Sequence, residues 1–62
     1  MNAKQRLDNA MERLEQASQT VVERAERLLE QNSHDGRKWA RIYLLAAARE
    51  YGAALRHLAR VS

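Results

Sequence analysis

The side chains with the widest chemical repertoire in this 62-residue chain are two histidines, His34 and His57, and no cysteine accompanies them. A zinc site draws on about four N, S or O ligands, and no carboxylates stand at ligand spacing near either histidine. His57 falls close to the end of a predicted helix, where a cation suits the macrodipole. The hydroxyl side chains are Ser18, Ser33, Ser62, Thr20, Tyr43 and Tyr51, and none has a base in its local sequence to make it a nucleophile. Asp8, Glu12 and Glu15 neighbour one another, but on a polar helix face such carboxylates are ordinarily solvated rather than paired for general acid/base work. No glycine-rich loop is there to cradle a phosphate. The expectation is a protein with no catalytic residues, no metal, no cofactor and no small-molecule substrate.

The arginines offer chemistry of another kind. Arg37, Lys38, Arg41, Arg49, Arg56 and Arg60 fall in the second half of the chain, with Trp39 and Tyr43 interleaved. A row of cations neutralises phosphates and gives salt-dependent, weakly specific affinity for RNA or DNA. Six acids in the first half oppose that use. Tryptophan and arginine are also the residues most enriched in protein-interface hot spots. The cluster Arg37, Trp39, Arg41, Ile42, Tyr43 and Leu45 fits a surface that binds another protein better than one that stacks bases.

Helices must position these residues. Proline is absent and glycine occurs only at 36 and 52, while Ala, Leu, Glu, Arg and Gln, all strong helix formers, dominate. The one cluster of turn formers runs from Asn32 to Gly36. The spacing therefore predicts a single domain over 1–62: a helix over about 2–31 opened by Asn2 as N-cap with Gln5 three residues on, a turn over 32–36, and a helix over about 35–60 capped by Ser33 or Asp35. Residues 2–32 hold five bases and six acids, a net of −1, whereas residues 36–62 hold six bases and one acid, a net of +5.

In the first helix, Leu7, Met11, Leu14, Ser18, Val21, Ala25 and Leu28 alternate in steps of four and three, the seam spacing of a coiled coil or bundle. With Ala10, Ala17, Val22 and Leu29 the apolar arc widens to about 140°, more than one partner helix covers. The second helix carries a stripe through Leu44, Ala47, Ala48, Tyr51, Ala54, Leu55 and Leu58. Trp39, Ile42, Ala46 and Ala53 project from another side of it, and a helix apolar on two sides is normally buried on two sides. A basic strip of Lys38, Arg49, Arg56 and Arg60 is expected beside the acids of the first helix, partly neutralised by them.

The stretch His34-Asp35-Gly36-Arg37-Lys38-Trp39, followed by Ala48-Arg49-Glu50 and Leu55, resembles the small needle-protein co-chaperones of bacterial type III secretion systems. That resemblance implies a two-helix hairpin that pairs with a helical-repeat chaperone in the cytoplasm to hold an aggregation-prone subunit. In size and seam the chain is also similar to small phage- or plasmid-encoded hairpins that dimerise into four-helix bundles.

Size itself limits the core. There are eight Leu, three Val, one Ile and no Phe, and a chain this short buries a small share of its surface. Without disulfides, such scaffolds turn to oligomerisation. No charge-free apolar run long enough to span a membrane is present, and the opening residues with Lys4, Arg6 and Asp8 do not read as a signal peptide. The fold expected is all-α, an antiparallel two-helix hairpin completing a four-helix bundle by homodimerisation or by docking on a helical partner. Its dimer core would draw on Leu7, Met11, Leu14, Val21, Leu28, Leu44, Tyr51, Leu55 and Leu58. Its function would be cytoplasmic, non-enzymatic and regulatory or inhibitory, exerted on another protein.

Overall fold

The computed structural model describes residues 2–62; Met1, where the expectation about the opening residues begins, lies outside them. Asn2 starts the first helix. Its side-chain oxygen accepts from the Gln5 N–H at 2.8 Å, and the Gln5 side-chain oxygen accepts from the Asn2 N–H at 3.2 Å. This reciprocal capping box satisfies two donors left open at the helix start. Helix α1 then runs without interruption over Ala3–Glu30.

The connection to the second helix is shorter than expected and lies earlier, at 31–33 rather than 32–36. Gln31 turns the chain out of α1 in extended backbone, and Ser33 caps α2, which spans His34–Val61, by accepting from the Gly36 N–H at 2.9 Å. The turn formers Asp35 and Gly36 thus lie inside the first turn of α2. Asp35 suits the positive end of the helix dipole. Gly36 is there because space is short: a Cβ would sit 2.7 Å from the Ser33 hydroxyl and against the Gln31 side chain. The Arg37 Nε donates to the Gln31 carbonyl at 3.1 Å, tying the start of α2 to the end of α1. Ser33→Ala is expected to cost about 1 kcal/mol, the usual worth of such a cap, read as a lowered midpoint in urea.

The two helices, 28 residues each, lie antiparallel in a rod whose Cα extents are 49 × 14 × 13 Å. Ala10 and Ala54 are fully buried and Ala47 is 6% exposed. Among the described residues no large side chain is fully buried. Alanine recurs at intervals of seven on both helices, as Ala3, Ala10 and Ala17 and as Ala40, Ala47 and Ala54. A seven-residue interval holds one line of a helix against its partner. Residues whose numbers total 64, as Glu30 and His34 do at the turn, therefore share a level along the rod. Small side chains let helix axes approach toward the near end of the ~8–10 Å range.

The seam is therefore built from alanines, not from the leucines that the step of three and four suggests. At about 100° per residue, Leu7, Leu14, Val21 and Leu28 stand beside the alanine line of α1, and Leu44, Tyr51 and Leu58 beside that of α2. Leu14, Val21, Leu28, Leu44, Tyr51 and Leu58 are half-buried, while Leu7, Met11 and Leu55 are exposed. All nine residues expected as a dimer core share one face of the hairpin, and the hairpin by itself covers that face only in part. No helix of the described residues is long and apolar enough to cross a membrane.

Candidate functional site

The face opposite the leucines is a groove. Arg13, Thr20, Arg24 and Arg27 reach it from α1, and Trp39 and Tyr43 from α2. Two hollows lie along it, of about 400 and 220 Å³. The Arg24 guanidinium lies 5.3 Å from the centroid of the Tyr43 ring, within cation–π range, and both residues line both hollows. This pair forms a bar across the groove. Trp39, 57% exposed, stands over the smaller hollow together with Ala40 and Gly36.

Arg24 owes its place to the alanine line: it occurs seven residues after Ala17, where the seam would take another small residue. Its stem is half-buried between the helices while its charge emerges in the groove. Nothing in the linear reading singled out Arg13, Arg24 or Arg27 for the site. The available signal was an arginine in register with Ala3, Ala10 and Ala17.

The six residues expected to form one contact surface do not stand together. Trp39 and Tyr43 lie on the groove side of α2, whereas Ile42, in seven-residue register with Arg49 and Arg56, lies on its outer edge. Arg37, Arg41 and Leu45 fall on the leucine side or its outer margin. Neighbours in a helix diverge by about 100°, so a continuous run cannot face one partner. Ile42 and Leu45, both exposed, stand about 60° apart on the outer edge between the two faces.

The charges are also arranged otherwise than expected. Asp8, Glu15 and Glu26 point almost directly away from the alanine line of α1, and Lys38, Arg49 and Arg56 directly away from that of α2. Lys38, Arg49 and Arg56 therefore form one outer edge of the rod and these acids the other, while Arg60, in seven-residue register with Trp39, lies on the groove side. The two edges do not neutralise each other within a hairpin, because a residue about 180° from the contact line is as far from the partner helix as it can be. All these side chains are exposed.

His34 opens α2 and His57 lies near its other end, about 35 Å apart at 1.5 Å per residue. Among the described residues no three His, Cys, Asp or Glu side chains are gathered as a metal site would need. The hydroxyl of Thr20 donates to the Gln16 carbonyl at 3.0 Å, and that of Ser62 to the Ala59 carbonyl at 3.2 Å, both local helix contacts. What the molecule offers is surface: a leucine face, an aromatic and arginine groove, and two edges of opposite charge. No protein-family model matches the chain, and comparison with curated proteins and with solved structures finds no match.

Proposed function

We propose that this chain is a cytoplasmic protein-interaction module, a small regulatory hairpin that covers its leucine face by self-association and engages another protein through the groove at Trp39 and Tyr43. One observation carries the reading. Among the described residues the fully or nearly buried side chains are three alanines, whereas nine large apolar residues are exposed, Leu29 to the extent of 84%. Of these, Leu7, Met11 and Leu55 adjoin the half-buried leucines on one face; contiguous apolar surface of that kind marks association sites, and a domain of this size needs such cover for stability.

The groove supports the second half. It presents a tryptophan, a tyrosine and three arginines in a concave strip, the residue types that dominate interface hot spots. Its test is affinity capture from the native cell with the tagged chain, comparing wild type with Trp39→Ala. Loss of a hot spot costs about 2 kcal/mol or more, roughly thirtyfold in affinity, so the partner should be lost from the variant. Equal recovery of the same proteins by both would remove the groove from the reading.

The separation of the charged edges favours a second reading, an RNA- or DNA-binding hairpin, since the basic edge points away from the acids of α1. A titration with nucleic acid at low and high salt decides it, and no binding at low salt ends it. The needle co-chaperone reading shares the leucine face but assigns it to a helical-repeat protein. Sedimentation distinguishes that case, because the co-chaperone would be a poorly folded monomer when alone.

A further inference from the structure

Resting on the self-association read above, we propose that two copies pair through their leucine faces about a twofold axis parallel to the helices, so that α1 of each copy lies on α2 of the other and acidic edge meets basic edge. Two arguments carry this arrangement. The first is size. A face 49 Å long and 14 Å wide offers roughly 700 Å² per copy, which places the total within the ~1,200–2,000 Å² of stable interfaces. Met11 and Leu55, both exposed, lie on this face and are the side chains it would cover, while Val22 and Leu29 continue the line of Asp8 and Glu15, and Leu45 that of Lys38, along its edges.

The second is charge and level. Two face-to-face pairings have closed twofold symmetry with the helices aligned. In one the axis runs across the helices and sets α1 against α1, so acids meet acids along one side and bases meet bases along the other. In the second the axis runs along the helices and sets α1 against α2 of the second copy, leaving levels along the rod unchanged. Residues totalling 64 then lie side by side between copies. Asp8 meets Arg56 of the second copy, Glu15 meets Arg49 and Glu26 meets Lys38. The same pairs in a single hairpin lie on opposite edges, out of reach. Three matched rungs occur on each side of the dimer, and like charges directly apposed would oppose the other pairing.

The chain has no cysteine, which makes disulfide mapping clean. Val22 and Arg41 are exposed, stand within one level of each other, and would be adjacent only between copies. A mixture of Val22→Cys and Arg41→Cys proteins under mild oxidation should give a covalent heterodimer, while neither variant alone cross-links. A disulfide between Val22→Cys and Met11→Cys proteins, without one to Arg41→Cys, would show α1 against α1 and overturn the arrangement while leaving self-association intact. Sedimentation of the wild-type chain as a monomer at high concentration would overturn the self-association itself. Charge reversal gives an independent readout. Glu15→Arg and Arg49→Glu should each weaken the dimer about tenfold, since two exposed pairs change from attraction to repulsion, and the double variant should recover it. A double variant weaker than either single one would also overturn the arrangement.

Discussion

Replacing Ala54 by leucine should destabilise the hairpin by about 1–3 kcal/mol, the usual cost of forcing extra carbons into a packed contact. Ala54 is fully buried at the same level as Ala10, which is fully buried too. Neither side chain can be enlarged without parting the helices, and parting them at one level loosens the line as far as Ala47. For a domain of this size total stability is of the order of 3–9 kcal/mol, so the substitution removes a large share. Thermal unfolding followed by circular dichroism should show a midpoint lower by roughly 4–8 °C per kcal/mol, measured at one protein concentration because association shifts it. Ala54→Ser, nearly unchanged in volume, serves as the control. An unchanged or raised midpoint for Ala54→Leu would mean that the helices do not meet through alanine.

The second large effect is on the opposite scale of contact. Met11→Ser combined with Leu55→Ser should abolish self-association at micromolar concentration and take most of the helical signal with it. Both side chains are 43% exposed in the single hairpin, so their loss barely touches the alanine seam. In the dimer each copy contributes both, and burying a large apolar side chain is worth about 1.5–3 kcal/mol. With part of that area already covered in the monomer, several kcal/mol still depend on the four residues, and each 1.4 kcal/mol is about tenfold in dissociation constant. Sedimentation velocity over a concentration series, with circular dichroism on the same samples, checks the result. Trp39→Ser, on the groove side, should leave the association constant as it is. If the double variant remained dimeric and helical, the leucine face would not be the place where copies meet.

The two helices are legible in the sequence for plain reasons. No proline interrupts them, Asn2 with Gln5 reads as a capping box, and Ser33 reads as a cap. The turn was misplaced by its own composition. Asp35 and Gly36 are turn formers in general, but here one answers the helix dipole and the other yields room to Ser33 and Gln31, both inside the helix. The apolar stripe was legible as a face, and its centre was not. Steps of three and four identify which side of a helix is apolar, yet Ala10 and Leu14 satisfy the pattern equally, and only the approach of the second helix selects the alanine. The surface residues were the least legible. Grouping Trp39 with Arg41 followed their closeness in sequence, whereas helix geometry sends them to different sides. Setting Lys38 and Arg49 beside the acids of α1 required knowing the contact line, from which both point away.

The three-residue connection has a consequence for how the molecule comes together in time. Glu30 and His34 meet by closing a loop of a few residues, while Ala10 and Ala54 are 44 residues apart. The entropy lost on closure grows with the logarithm of loop length, so each pair formed nearer the turn shortens the loop left for the next. Loop closure therefore favours assembly as a zipper from Gln31 outward, with the local contacts that make helical proteins fast folders. The far ends, where Leu7 and Leu58 stand, close last and open first. The interval during which the leucine rows are aligned but uncovered is therefore short near the turn and longest near the termini, and that is where an encounter with a second copy has the most to gain.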